Sequence, residues 1–467
     1  MKRIVIRERT PIPPFGEPAR DLRILNKPLW LLQRDLLAHH CRGALEVDSL
    51  SEIPREREEL LVYRDNLFFN DLLIDTFIAQ AKAGGNACQI AFARDDKAIT
   101  AHGLRLQEGI TLDTQHNVYL ADLYYYPNGV AEEAQPLVIA TDPREMGYYH
   151  IPTYMAPNHG DLVFQVPMRA FLSIENWVQV FLANSPFGVF SWGRIHEQRA
   201  EESWKEKLAV SFSTLADKLN PFAPKWRNHF LASSRLVKIG KNCSIDPTAT
   251  IHGPTIIGDN VTIGAGVVIT NSLIGKNVTI MQGSQVMLSV ISDRCYLPWN
   301  AGIFMSTLMD NSMVAQLSCL QMCVVGRNTF IGAGNIFTDF DLRNQPIHTF
   351  HQRKGESQPT KEEVGLPVIG SAVGHNCKIG SGFVIYPARM IGSNSTLIYA
   401  DPEAVVGRNI QPMTNIDDME VDDQGEPRRT VYTWPRVMEV PPAAAPAPEE
   451  PLEPLHMTWP EAARLRH

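Results

Sequence analysis

An α/β domain followed by a parallel β-helix is the fold this sequence predicts, on three observations. Aliphatic residues recur six apart as Ile239, Ile245, Ile251, Ile257, Ile263 and Ile269, with Gly240, Gly258 and Gly264 between them. A strand repeats every two residues and a helix every 3.6, so a sustained period of six belongs to a hexapeptide coil in which each short strand sends one residue inward per face. Before this ladder, residues 1 to about 190 alternate short apolar runs with helix-like spacing, the pattern of a layered α/β domain. The chain of 467 residues is also long enough for two or three cores, at roughly 100–200 residues per domain.

The ladder slips by one at Ile274, recovers through Ile280 and Val286, and slips again at Ile291 before Leu297 and Ile303. Such slips mark coils in which one corner is shortened. Val325, Ile331 and Phe337 form a second run, and Val373, Ile379, Ile385, Ile391 and Leu397 a third. A sandwich of separate strands would need turn signals every 8–12 residues and has no reason to keep a period of six.

In the first domain, Ile4-Val5-Ile6 and Leu60-Leu61-Val62-Tyr63 are expected strands, and Leu29 to Ala38 and Asp71 to Ala83 expected helices, giving a mostly parallel sheet with helices on its faces. From His196 to Leu219, Trp204, Leu208, Val210, Phe212, Leu215 and Leu219 suit an amphipathic connecting helix stopped by Asn220-Pro221. The basic, aromatic stretch from Pro224 to Phe230 is short and isolated, which suits packing at the domain junction better than phosphate binding. The resulting division is 1–195, a connection over 196–235, a solenoid over 236–410 and a tail over 411–467. A polar segment from Asp339 to Gly365 interrupts the coils, and solenoids accept such insertions at corners, often on a functional face. The tail is acidic and then rich in Pro and Ala, an extended linker in which Thr433-Trp434-Pro435 recurs as Thr458-Trp459-Pro460.

A net charge of -8 and a pI near 6.0 argue against nucleic acid or an anionic membrane surface, which call for clustered Lys and Arg. Seven cysteines without a disulfide-like framework fit a reduced, cytoplasmic compartment. Cys319 and Cys323 lack the further ligands of a metal site and suit buried structural thiols. The N-terminus lacks the apolar stretch of a signal peptide, and no run of about 18 apolar residues occurs.

The run from Ile245 to Gly266 (IDPTATIHGPTIIGDNVTIGAG) resembles the left-handed β-helix of sugar-1-phosphate nucleotidyltransferases that carry a C-terminal acyltransferase domain. Val325 to Asp341 and Val368 to Gly380 resemble the same family, including the bifunctional glucosamine-1-phosphate acetyltransferase/uridyltransferase group. The resemblance implies a left-handed coil, a homotrimer, and an acyl-CoA site to which the polar loop contributes. That makes His348, His351, Arg353 and Lys354 candidates for CoA binding. The N-terminal domain resembles the nucleotidyltransferase domain: Asp21 to Gln33 places Lys27 at the family's phosphate-facing lysine, and Leu60 to Asp65 places Asp65 at a metal-holding Asp. The implied ligands are a nucleoside triphosphate, a sugar phosphate and Mg²⁺, because phosphoryl-type transfer is largely positioning and charge neutralisation.

Several positions depart from that pattern. The glycine-rich phosphate loop corresponds to Thr10 to Arg20, which has one Gly and four prolines, each removing an N–H. Arg20 and Arg23 are candidates to replace its positive charge. The family's second Asp falls at Ser173. In the solenoid, the catalytic His falls at Gln316, a nearby Tyr at Cys319 and an Asn at Asp339; an amide does not titrate near neutral pH and cannot serve as a general base. A zinc site using His348, His351 and His375 is the remaining metal option. The expected function is therefore a transferase-like protein of sugar-nucleotide metabolism with degenerate motifs, centred on Lys27 and Asp65. The alternative is a catalytically inactive trimeric scaffold that recruits a partner through its tail.

Overall fold

The computed structural model describes residues 1–54, 57–150, 161–202, 212, 235–356 and 358–398. Most of the expected helix 196–219, the strip 224–230 and the tail with Trp434 and Trp459 lie outside the described residues. A helix over Phe190–Glu202 covers the start of that segment. Met1–Ser395 form one compact unit; in the second, Thr396–His467, the strand Thr396–Leu397 is described.

The N-terminal sheet is built around strand Lys2–Ile6, which pairs in parallel with Ala44–Val47 on one side and Leu60–Arg64 on the other. Val118–Tyr126 then runs antiparallel to both Leu60–Arg64 and Cys88–Ala93, so the sheet is mixed rather than mostly parallel. The cause is local. Val118–Tyr126 is reached from Ile110–Asp113 by a tight hairpin, with Asn117 at φ 56, and a hairpin joins antiparallel strands. The expected helices form over Leu29–Leu37 and Asp71–Gly84; the second is capped by the Asn70 side chain accepting from Leu73 N at 3.0 Å and stopped by Gly85 at φ 67.

The β-helix has three parallel sheets along its axis, with Ile257, Ile263 and Ile269 each beginning or continuing one of them. Ile251, Ile280, Val286, Ile303 and Ile331 are 0–2% exposed, so the six-residue ladder is the interior of the coil. Leu308, Val314 and Leu320 fill the rungs between Ile303 and Val325 and are fully buried.

Two corner columns explain the periodicity. At one, Asn260, Asn277, Asn311, Asn328, Asn376 and Asn394 all adopt positive φ and hand an amide hydrogen bond from coil to coil: Asn260 to Asn277 at 3.2 Å, Asn311 to Asn328 at 3.0 Å, Asn376 to Asn394 at 3.1 Å. The shortened corner is the second. There Ser289 N donates to Ser272 Oγ at 3.2 Å, Ser306 N to Ser289 Oγ at 3.0 Å and Cys323 N to Ser306 Oγ at 2.9 Å, so Cys323 occupies a rung of a buried hydroxyl ladder. Its thiol is fully buried while Cys319 is half-exposed, and all seven cysteines are free.

The positive-φ residues at that shortened corner are Asn271, Leu288, Met305, Met322 and Ala388. A left-handed conformation costs a β-carbon-bearing residue roughly 1–2 kcal/mol. Packing offsets it here, because Met305 and Met322 are fully buried in a cluster shared with Leu22, Ile24, Phe181 and Phe187 of the α/β domain. The α/β domain thus lies along this corner rather than across a linker. Ser185 Oγ donates to Leu288 O at 2.8 Å, Asn26 Nδ2 to Asp293 Oδ1 at 2.9 Å and Arg23 Nε to Asp310 Oδ2 at 2.8 Å.

Candidate functional site

Strand Lys2–Ile6 leaves the sheet toward Ala44–Val47, and the chain then returns on its other side as Leu60–Arg64. Ligands of α/β sheets bind outside the carboxyl ends of strands where the connection reverses in this way. The residues that follow these two strands are Arg7-Glu8 and Asp65-Asn66.

Asp65 is buried there. Its Oδ1 accepts from Glu8 N at 2.8 Å and its Oδ2 from Arg20 Nη1 at 3.0 Å, with Arg7 Nε at 3.6 Å. Burial pushes Asp65 up to about 6, against the pull of the Glu8 N–H and the two guanidinium groups. Arg20 also donates to Glu46 at 3.1 Å, and Arg7 pairs with the same carboxylate. Glu8 accepts from Thr10 Oγ1 at 2.7 Å, has Arg64 at 3.6 Å, and lies 2.8 Å from Lys354 Nζ. Burial raises the Glu8 carboxyl, but hydrogen bonds from Lys354 and Thr10 outweigh it and hold the group below its ordinary range.

Of these, Glu8, Thr10 and Lys354 edge a narrow crevice of about 10 Å³, room for about one water, which Asp65, Arg7 and Arg20 do not line. Glu8, Thr10, Ile12 and Ala19 form one wall, Ile174 and Glu175 a second, and Gln352 and Lys354 a third. The third wall comes from the segment that interrupts the solenoid, which folds as a hairpin, His348–His351 against Thr360–Glu363. The hairpin docks on the α/β domain: Trp177 Nε1 donates to Thr349 Oγ1 at 3.0 Å, Asn176 Nδ2 to Phe350 O at 3.0 Å and Lys354 N to Glu108 Oε2 at 3.1 Å.

The sequence candidates therefore regroup. Arg20 meets Asp65 at the strand end, and Lys354 lines the crevice beside Glu8. Lys27 is half-exposed and pairs with Asp35 at 2.7 Å, and Arg23 goes to Asp310 of the solenoid, so neither joins Arg20. Arg353 braces the hairpin through Glu362 at 2.7 and 2.8 Å. The three histidines have three different partners: His348 Nδ1 meets Pro346 O at 2.7 Å, buried His351 stands 3.5 Å from Asn176 Nδ2, and His375 Nε2 lies 3.2 Å from Glu17. Among the described residues no three His, Cys, Asp or Glu groups could hold a metal. Asp65 has both oxygens engaged, and Ser173, at the second metal position, donates its hydroxyl to Glu175. This set does not fit a resident Mg²⁺.

The proline-containing loop has its own task. Strand pair Pro11–Ile12 and Glu17–Pro18 projects onto the last coils, where Phe15 packs on the His375 ring at 5.3 Å and Ser393 Oγ donates to Pro14 O at 3.0 Å. It clasps the solenoid instead of cradling phosphate. On the solenoid itself, Asp339 is buried and pushed up to about 6 by desolvation; with its amide nitrogen facing the carboxylate, Gln321 donates to it at 2.9 Å. Arg7 and Glu8 were missed by sequence reasoning. Their signal was their place directly after the first strand, legible once that strand is known to be central.

Residues 236–271 match the family described as bacterial transferase hexapeptide (six repeats). The solenoid is thus of the hexapeptide-transferase type, a left-handed β-helix. No curated protein matches the chain. Among solved structures, a candidate acetyltransferase from Bacillus cereus is similar at 20% identity, over 35% of this chain and 78% of that chain, with a TM-score of 0.14. At that identity and score it bears on neither substrate nor reaction. No helix among the described residues is long and apolar enough to cross a membrane.

Proposed function

We propose that this is a transferase-like protein of sugar-nucleotide metabolism whose α/β domain binds a phosphorylated small molecule, of the nucleotide or sugar-phosphate class, at the strand ends beside Asp65. The observation that carries the reading is the pair of guanidinium groups, Arg7 and Arg20, on buried Asp65 at the carboxyl ends of the two central strands, where α/β sheets take ligands. The chain supplies cations and a buried carboxylate that competes for Arg20. No metal step is assigned. Acetyl transfer is not supported, since Gln316 offers no titratable base.

Binding is tested with the full chain by thermal melting in UTP or glucosamine-1-phosphate. A ligand selective for the native state adds about 2.7 kcal/mol at a hundredfold excess over Kd, so either probe should raise Tm and Arg20→Ala should cancel the rise. Absence of any shift would leave the second reading, an inactive scaffold. One observation favours that alternative: each cation near these strand ends already has a carboxylate partner within 3.6 Å, so a ligand must displace a salt bridge.

The reading includes self-association, for which the outer corner gives support. Trp299, Leu317, Ile336, Val384 and Tyr386 are 45–66% exposed along the solenoid, and Leu317 holds φ 59 where the neighbouring coils place Asn300 and Gly334. An exposed leucine in a left-handed turn gains from neither burial nor geometry unless a second surface covers it. A homotrimer built on this corner is the assembly we propose.

A further inference from the structure

We propose that the carboxylate of Glu46 occupies the anion position of the strand-end site, and that a ligand's phosphate binds by displacing it from the guanidinium groups of Arg7 and Arg20. The inference rests on the strand-end reading above and deepens it, by naming where the phosphate sits and what guards the place.

Three observations carry it. Glu46 presents one oxygen to each arginine: Oε1 accepts from Arg20 Nη2 at 3.1 Å, and Oε2 pairs with Arg7 Nη1. Two oxygens of one anion shared between two guanidinium groups is also how a phosphate engages an arginine pair, so this side chain shows that both cations reach a single anionic group. The two carboxylates that hold Arg20 by hydrogen bonds differ in freedom. Asp65 is 1% exposed, engages Arg20 through Nη1 and is fixed from its other oxygen by the Glu8 N–H, whereas Glu46 is 46% exposed on the edge strand Ala44–Val47. Asp65 therefore orients Arg20 from the interior. Glu46 forms ion pairs of the exposed kind, which contribute little and exchange readily. Finally, the arginine pair is not saturated by these two carboxylates. Arg7 Nε is buried and has no acceptor, its 3.6 Å approach to Asp65 being too long for a hydrogen bond. A phosphate dianion brings a third oxygen and a second charge, neither of which Glu46 supplies.

The test is calorimetric titration of the full chain with inorganic phosphate and, separately, inorganic pyrophosphate, at fixed ionic strength. Glu46→Gln keeps the size of the side chain and removes its charge, and should tighten binding of either probe about fivefold; Glu46→Ala should do the same. Arg7→Ala placed in the Glu46→Gln chain should cancel the gain, because the gain needs both guanidinium groups. Asp48→Asn removes the same charge two residues further on, from a carboxylate that pairs with Arg9 at 2.7 Å, and should change affinity by less than about twofold. If Arg20→Ala weakens binding and neither Glu46 variant tightens it, the role of Glu46 is overturned and the strand-end reading stands. An equal gain from Asp48→Asn overturns it as well, since the effect would then be a diffuse field. If neither the wild-type chain nor Glu46→Gln binds either probe, both readings fall.

Discussion

The ammonium of Lys354 lies 2.8 Å from the carboxylate of Glu8, although 346 positions separate them and each belongs to a different half of the molecule. Glu8 follows the first strand of the α/β domain, and Lys354 sits in the hairpin that breaks the solenoid ladder. That contact is one of several that tie the two halves together, and several consequences can be measured.

The shortened corner should be a major source of cohesion between the halves. Met305 and Met322 are fully buried against the α/β domain, and truncating a buried methionine to alanine costs about 2–5 kcal/mol. Met305→Ala should therefore lower the urea midpoint. The contrasting variant is Thr262→Ala, on a half-exposed outer position away from the shared cluster, which should move the midpoint little.

Asp339 should make stability depend on pH. Its folded pKa of about 6 lies above the ordinary carboxylate value of 3.8, so between about pH 4 and 6 the folded state keeps a proton that the unfolded chain has lost. Its favourable contribution is complete below that window and is lost as pH rises through it. Asp339→Asn should be more stable than wild type at pH 7.5, by up to roughly 3 kcal/mol at 1.36 kcal/mol per pKa unit, and similar to it at pH 4. Equal melting temperatures at both pH values would contradict this.

Leu317→Asp should dissociate the oligomer without unfolding the coil, because the side chain is 66% exposed and aspartate tolerates left-handed turns better than leucine. Light scattering should show three chains per particle for the wild type and fewer for the variant. A wild-type monomer would contradict the proposed assembly.

Acetyl transfer from acetyl-CoA to glucosamine-1-phosphate should be absent or very slow. Turnover of order 10 per second, that of an ordinary enzyme, would show that a base other than Gln316 serves the solenoid.

Much of this was legible in the residues. Period six gives the solenoid directly, since the rung residues from Ile251 to Ile385 are buried while those of the end coils, such as Ile239 and Ile391, are partly so, and the register slips at Ile274 and Ile291 locate the shortened corner. The site was only half legible. Asp65 and Arg20, candidates through the family resemblance, do meet each other, but Lys27 and Arg23 carried the same charge and pair elsewhere. Sequence spacing cannot report which carboxylate a guanidinium meets across a domain contact. The hairpin was expected on the solenoid's own face; its docking on Asn176 and Trp177 depends on a corner whose left-handed methionines no local propensity favours. The same packing decides the fate of the proline loop, whose missing N–H groups signalled loss of a phosphate cradle but not its gain as a clasp on His375 and Ser393.

The account's central claim is that Arg20 serves the ligand and Asp65 competes for it. The most direct test is the pyrophosphate affinity of Asp65→Asn against wild type, measured in EDTA with folding verified by circular dichroism. Removing the competing charge should tighten binding, and no added metal should be needed. Binding that is lost in Asp65→Asn, and that in the wild type appears only with Mg²⁺, would make Asp65 a metal ligand and contradict the account.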